Sequence, residues 1–202
     1  MVREDGLSNS QVPQVQMLWP RRLAESPPPV PHVANVAVRT ARQSDLPAFF
    51  SLMAAAGWRD WGEAQLAPWL ARLLPEGWVM AFDDRGLLVA TSMATHDPTW
   101  TVPFCAELGW TAADPNRRGQ GLGALVTAVA TRRMLECGYR VVHLYTETWR
   151  LAALKTYLRL GYVPYLDGDG AEAAWRLICD ALPWPFDPSA WREDAQETLT
   201  VW

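Results

Sequence analysis

Three glycines at alternate positions, Gly119, Gly121 and Gly123, follow Arg117 and Arg118 and open an apolar-periodic stretch that starts at Leu122. That combination suits the holding of phosphates. Glycines let backbone N–H groups approach an anion without Cβ obstruction, a helix starting here points its positive dipole end at the same spot, and the arginines add formal charge. Gly119-x-Gly121-x-x-Ala124 also satisfies the dinucleotide fingerprint, which requires a buried strand leading straight into the loop. Here the lead-in, Asp114-Pro115-Asn116-Arg117-Arg118, is a polar, proline-bearing turn, and Glu147 lies too far downstream for the ribose-binding role. A phosphate on another kind of carrier is the better reading, with a purely structural glycine turn as the plain alternative.

A second segment runs from Trp149-Arg150-Leu151-Ala152-Ala153 through Tyr157 to Gly161-Tyr162. Arg118, Gly121 and Gly123 meet the pattern Q/R-x-x-G-x-G/A; Ala153, Tyr157, Gly161 and Tyr162 meet N-x-x-A-x-x-x-Y-x-x-x-G-F/Y. In these two motifs and their order the chain resembles the GCN5-related N-acetyltransferase (GNAT) superfamily over residues 36 to 166. Its one departure is Arg150, where the family often has asparagine.

The resemblance implies acetyl-CoA as co-substrate and no metal. Backbone at Thr111 and Ala113 would bond the pantetheine. Arg118, Gly119, Gln120, Gly121, Leu122, Gly123 and Ala124 would hold the pyrophosphate, with Arg150 and Ala153 beside the cofactor. Tyr157 falls in the register of a tyrosine near the CoA sulfur, where a high-pKa phenol can protonate a departing thiolate. Glu107, eleven residues before Arg118, resembles the catalytic glutamate of protein-acetylating members; partial desolvation would raise its pKa and suit it to take a proton from an ammonium. Glu147 is a second candidate. Trp58 and Trp61 fall where the family borders its acceptor, and could offer an aromatic wall to an amine, although core packing is the stronger reading of both. The activity implied is transfer of an acetyl group to a primary amine of a small molecule or peptide in a ternary complex. A non-catalytic acyl-CoA-binding module is the alternative.

Several elements must position these residues. Val33 to Arg39 is a β-branched run, and Ser44-Asp45-Leu46-Pro47 predicts a helix to about Ala56 with Ser44 as its N-cap. A second helix follows from Gly62 to Leu74, then a hairpin of Trp78–Phe82 and Leu87–Thr95 about an Asp83-Asp84-Arg85-Gly86 turn, and a strand from Cys105 to Ala113. Leu122, Leu125, Val126 and Val129 recur at helical spacing, and Gly138 stops that helix before a strand at Val141–Thr146. A strand, crossover helix and strand imply parallel pairing. Leu151–Leu160 is the fourth helix, Tyr162–Leu166 a strand and Ala171–Leu182 a further helix. The fold implied is α/β (α+β), a mixed, mostly antiparallel sheet splayed between its fourth and fifth strands with helices on both faces.

Residues 1–34, with Pro27-Pro28-Pro29-Val30-Pro31, read as a proline-rich extension, although Val12 to Trp19 has enough alternation to dock as an extra strand. Residues 35–166 form the acetyltransferase-like domain, and 167–202 a C-terminal helix and tail in which Gln196 to Trp202 supplies the family's late strand.

A net charge of -4 argues against nucleic-acid binding, which needs a concentrated basic surface. Cys105, Cys137 and Cys179 are scattered and odd in number, so neither disulfides nor a zinc site is indicated, and a reducing cytoplasm fits. No run of apolar residues is long enough to cross a membrane. The partners expected are the amine acceptor and, at most, a second copy in a homodimer.

Overall fold

The computed structural model describes residues 13–200, apart from 101 and 103. Its regular elements are β1 (Gln14–Leu18), β2 (Val36–Thr40), α1 (Leu46–Ala55), α2 (Glu63–Leu70), β3 (Leu73–Asp83), β4 (Leu88–His96), β5 (Cys105–Ala113), α3 (Leu122–Glu136), β6 (Val141–Glu147), α4 (Leu151–Leu160), β7 (Val163–Tyr165), α5 (Ala171–Ala181) and α6 (Pro188–Leu199). The strands form one sheet in the order β2-β3-β4-β5-β6-β1-β7. Every neighbouring pair is antiparallel except β5 and β6, which run parallel because α3 returns the chain between them. This is the mixed, mostly antiparallel sheet expected.

Helices cover both faces. On one, α3 buries Leu122, Leu125 and Val126, with Leu154 and Leu158 of α4, against Val79, Ala90, Leu108 and Leu144 of the sheet. On the other, Phe49, Leu52 and Met53 of α1 and Leu66 of α2 pack on Trp78, Met80, Met93 and Trp110. No helix among the described residues is long and apolar enough to cross a membrane.

The sheet opens where β5 leaves β6. Their pairing runs only from Cys105–Val141 to Leu108–Leu144. Just beyond, Trp110 and Thr111 together oppose a single residue of β4, between the pairs Met93–Gly109 and Thr91–Ala112, and Trp110 adopts φ 50°. Such a bulge bends and twists its strand. It also exchanges faces: Ala106 and Leu108 pack beneath α3, whereas Trp110 and Ala112 pack beneath α1. Thr111 is thereby turned away from the α1 side. Counted from β2, the opening lies between the fourth and fifth strands, as the resemblance implies.

Both ends of the chain differ from expectation. The segment taken for an appendage contains β1, which lies inside the sheet, antiparallel to β6 on one side and β7 on the other. Its imperfect alternation has a physical cause: an interior strand covered on both faces buries Val15, Met17 and Leu18 alike. The tail does not supply the late strand. Gln196–Leu199 closes α6, whose buried residues Trp191, Ala195 and Thr198 recur at helical spacing, and Asp187 caps its start by accepting from the Ala190 N–H at 3.1 Å. Val201 and Trp202, the end of that expected strand, lie outside the described residues.

Two boundaries also move. Asp45, not Ser44, governs the entry to α1: its carboxylate accepts from the Arg42 N–H at 2.7 Å and from both Arg39 guanidinium nitrogens at 2.7 and 2.8 Å. The second helix ends at Leu70 rather than Leu74, since β3 already begins at Leu73.

Candidate active site

The space between the diverging strands is a cleft of about 750 Å³. Its walls come from the end of β5 (Thr111, Ala113), the start of α3, the length of α4, and Ala55, Ala56 and Trp58 at and after the end of α1. Of the residues singled out from the sequence, Thr111, Ala113, Arg118, Gly119, Gly121, Leu122, Gly123, Ala124, Arg150, Ala153, Tyr157 and Trp58 all line it. Gln120, Trp61 and Glu107 do not. Gln120 is exposed beside the loop, and Trp61 packs edge-on against Trp110 with ring centres 4.7 Å apart.

One end of the cleft has features that suit an anion. Gly121 holds φ 81° at the N-cap of α3, a conformation that strains any residue with a Cβ, and no side chain caps the helix there. The first N–H groups of α3 therefore have no partner within the helix and stand at the cleft wall. The two arginines separate in role. Both line the cleft, but Arg117 is held by Asp83, whose carboxylate also receives N–H groups from the turn after β3, whereas Arg118 is exposed. Lys155 and Arg159 line it as well, one turn apart on α4. Sequence reading passed over them, although cations at that spacing on a helix whose other side carries Leu154 and Leu158 are a legible signal.

Tyr157 sits deeper on α4, 6% exposed. Burial pushes its phenol up to about 12, against the opposing pull of the Thr111 hydroxyl and the Arg150 guanidinium. Such a group holds its proton until a strong base forms beside it.

Glu107 lies on the α1 side of the sheet, before the bulge. Burial, reinforced by the neighbouring charge of Asp97, raises its carboxyl to about 7, while Arg72 at 3.8 Å opposes the shift. Around it stands a network drawn from two connections and β6. Asp97 accepts from the Thr99 N–H and hydroxyl at 3.0 and 2.7 Å and lies 3.4 Å from Arg72. His143, wholly buried and stacked on Trp100 at 4.4 Å, has its Nε2 3.2 Å from Asp97. Burial lowers His143 to about 4, so it stays neutral. Glu147, the other acidic candidate, is engaged elsewhere: its Oε2 accepts from Arg150 Nε at 2.6 Å.

A parallel strand pair that parts over an uncapped helix start, with a buried phenol on the facing wall, defines an α/β protein with an open cleft between its strands. The sequence model of the Acetyltransferase (GNAT) family matches residues 34–162, well over half of the chain, and the chain belongs to that family. It is 36% identical over 99 residues to the mycothiol acetyltransferase of Nocardia farcinica, covering 44% of this chain and 32% of that protein. It is 32% identical over 169 residues to the mycothiol acetyltransferase of Mycobacterium avium, covering 72% and 52% respectively. The chain thus spans no more than about half the length of these curated relatives. A GCN5-related N-acetyltransferase from Sphaerobacter thermophilus shares the fold with a TM-score of 0.60 at 20% identity, over 75% of this chain and 48% of that one. One from Kribbella flavida gives a TM-score of 0.50 at 26% identity, over 74% and 53%. Strand β1 lies outside the residues matched by the family model.

Proposed function

We propose that the protein transfers an acetyl group from acetyl-CoA to a primary amine of a small molecule or peptide, by direct attack in a ternary complex. The observation that carries this reading is the uncapped, glycine-built start of α3 facing Tyr157 across the cleft. In it, Arg118 and the loop from Gly119 to Ala124 hold the pyrophosphate, and β5 backbone at Thr111 and Ala113 bonds the pantetheine as a neighbouring strand would. The amine nitrogen attacks the thioester carbon and its proton passes to Glu107, directly or through water. A backbone N–H steadies the oxyanion, the C–S bond breaks, and Tyr157 protonates the sulfur. Because the relatives are mycothiol acetyltransferases, a small-molecule acceptor related to mycothiol is the first to test.

CoA and acetyl-CoA should each raise the melting temperature, since a ligand that binds only the folded state adds about 2.7 kcal/mol at 100 times its dissociation constant. Gly121→Val should abolish the shift while the variant still folds. Stabilisation by NADH and none by CoA would overturn the assignment.

The raised carboxyl of Glu107 fixes the pH dependence. A base must be deprotonated, so turnover should climb as pH rises through about 7 and then level. Glu107→Gln should remove that rise and lower the rate most above pH 7, where the wild-type carboxylate is ionised, leaving CoA affinity intact. An unchanged profile would take Glu107 out of the mechanism.

A further inference from the structure

Arg150 makes contacts that the family's asparagine could not. Its Nε donates to Glu147 at 2.6 Å, and its guanidinium carbon lies 3.9 Å from the ring centre of Trp58 and 4.3 Å from that of Trp149. The side chain is 17% exposed. These contacts cross the opening of the sheet: Trp58 belongs to the connection between α1 and α2, on one face, while Arg150 begins α4, on the other. No strand pairing joins β5 to β6 at that level. The Trp58 backbone is fixed by its N–H bond to Met53 at 2.9 Å, and its ring lies between Trp61, with centres 6.1 Å apart, and the Arg150 guanidinium.

The acyl-CoA reading above, on which this inference rests, puts the phosphates at α3 and the sulfur beside Tyr157. The acyl group then points across the opening toward Ala55, Ala56 and Trp58, which line the same cleft. Two alanines leave room for a small group, and the indole beyond them leaves little more. We propose that Trp58, pinned by Arg150, is the acyl-side wall of the cleft, and that the pair restricts the protein to short acyl groups. The pin depends on the flat guanidinium, which stacks on aromatic faces as an ammonium cannot.

The test needs no acceptor. Calorimetry would give dissociation constants of CoA, acetyl-CoA, butyryl-CoA and hexanoyl-CoA for the wild type, Trp58→Ala, Arg150→Ala, Arg150→Lys and the Trp58→Ala/Arg150→Ala double variant. The wild type should bind acetyl-CoA at least about ten-fold more tightly than hexanoyl-CoA, the usual scale for forcing extra methylenes into a packed site. That ratio should collapse toward one in each single variant, and no further in the double variant, because the two side chains act as one unit. Affinity for free CoA should hold in Trp58→Ala, and a cooperative thermal melt reports that each variant folds. Arg150→Lys separates the pin from charge, since it keeps the pair with Glu147 and loses the stack. A wild type indifferent to chain length, a ratio that survives Trp58→Ala, or a ratio kept by Arg150→Lys would each overturn the proposal. Failure of free CoA to bind the wild type would instead remove the acyl-CoA reading, and the wall with it.

Discussion

Deleting residues 1–26 is expected to leave a chain that no longer unfolds cooperatively. The deletion removes β1, which fills the space between β6 and β7 and is the one strand partner of β7 among the described residues. Trp19, which continues the pairing through its N–H to Val142 at 2.8 Å, goes with it. Val15, Met17, Leu18 and Trp19 are 5%, 0%, 0% and 1% exposed. Burying such a side chain stabilises by about 1.5–3 kcal/mol, so the four together contribute about 6–12 kcal/mol. A whole domain is stable by about 5–15 kcal/mol. Deleting residues 185–202 should cost less: it takes away α6 and buried Trp191, a loss of about 3–5 kcal/mol, and leaves the sheet complete. Two thermal melts followed by circular dichroism decide the matter. A sharp transition near the full-length temperature for the 1–26 deletion would show that the sheet closes without its inserted strand.

Tyr157→Phe should reduce turnover about 10²-fold or more while CoA affinity and melting temperature stay close to the wild type. Two buried tyrosines make the comparison. The Tyr162 hydroxyl is paired with Thr131 Oγ1 at 2.7 Å inside the core, so its role is structural. Tyr157 presents its side chain to the cleft, and its ring meets that of Tyr162 edge-on with centres 6.1 Å apart. Phenylalanine preserves this packing and deletes only the proton donor. Full activity in the variant would return Tyr157 to the core.

Local signals carried far in this sequence, and distant ones did not. Cys105–Ala113 and Leu151–Leu160 form the strand and helix expected, because a proline-bearing turn, Arg150 and Gly161 mark their ends within a few residues. The glycine loop that opens α3 was legible for the same reason: glycine spacing and the following helix sit in one short segment. Nothing local shows that Gln14 will pair with Glu147. The alternation of Gln196 to Trp202 suggested a strand, whereas the spacing of Trp191, Ala195 and Thr198 that makes α6 emerges over a longer window. The network around Glu107 was hidden too, since Arg72, Asp97 and His143 come from distant parts of the chain and meet only when the sheet forms. Arg150 could be recognised as a departure from the motif, but its contact with Trp58 depends on the α1–α2 connection reaching across the opening.

The inserted strand also orders events in time. Ribosomes make β1 more than a hundred residues before Val141–Glu147 and Val163–Tyr165, the strands on either side of it. Until both have left the exit tunnel, Met17, Leu18 and Trp19 have no sheet in which to bury, and β6 and β7 have no bridge between them. Contacts so distant in sequence require a long loop to close first, which slows folding and keeps unpaired strand edges in play. Closure of the sheet thus waits until Tyr165 has been made. A nascent chain stalled before Tyr165 would carry an apolar strand in want of a partner, the kind of segment that holdase chaperones recognise.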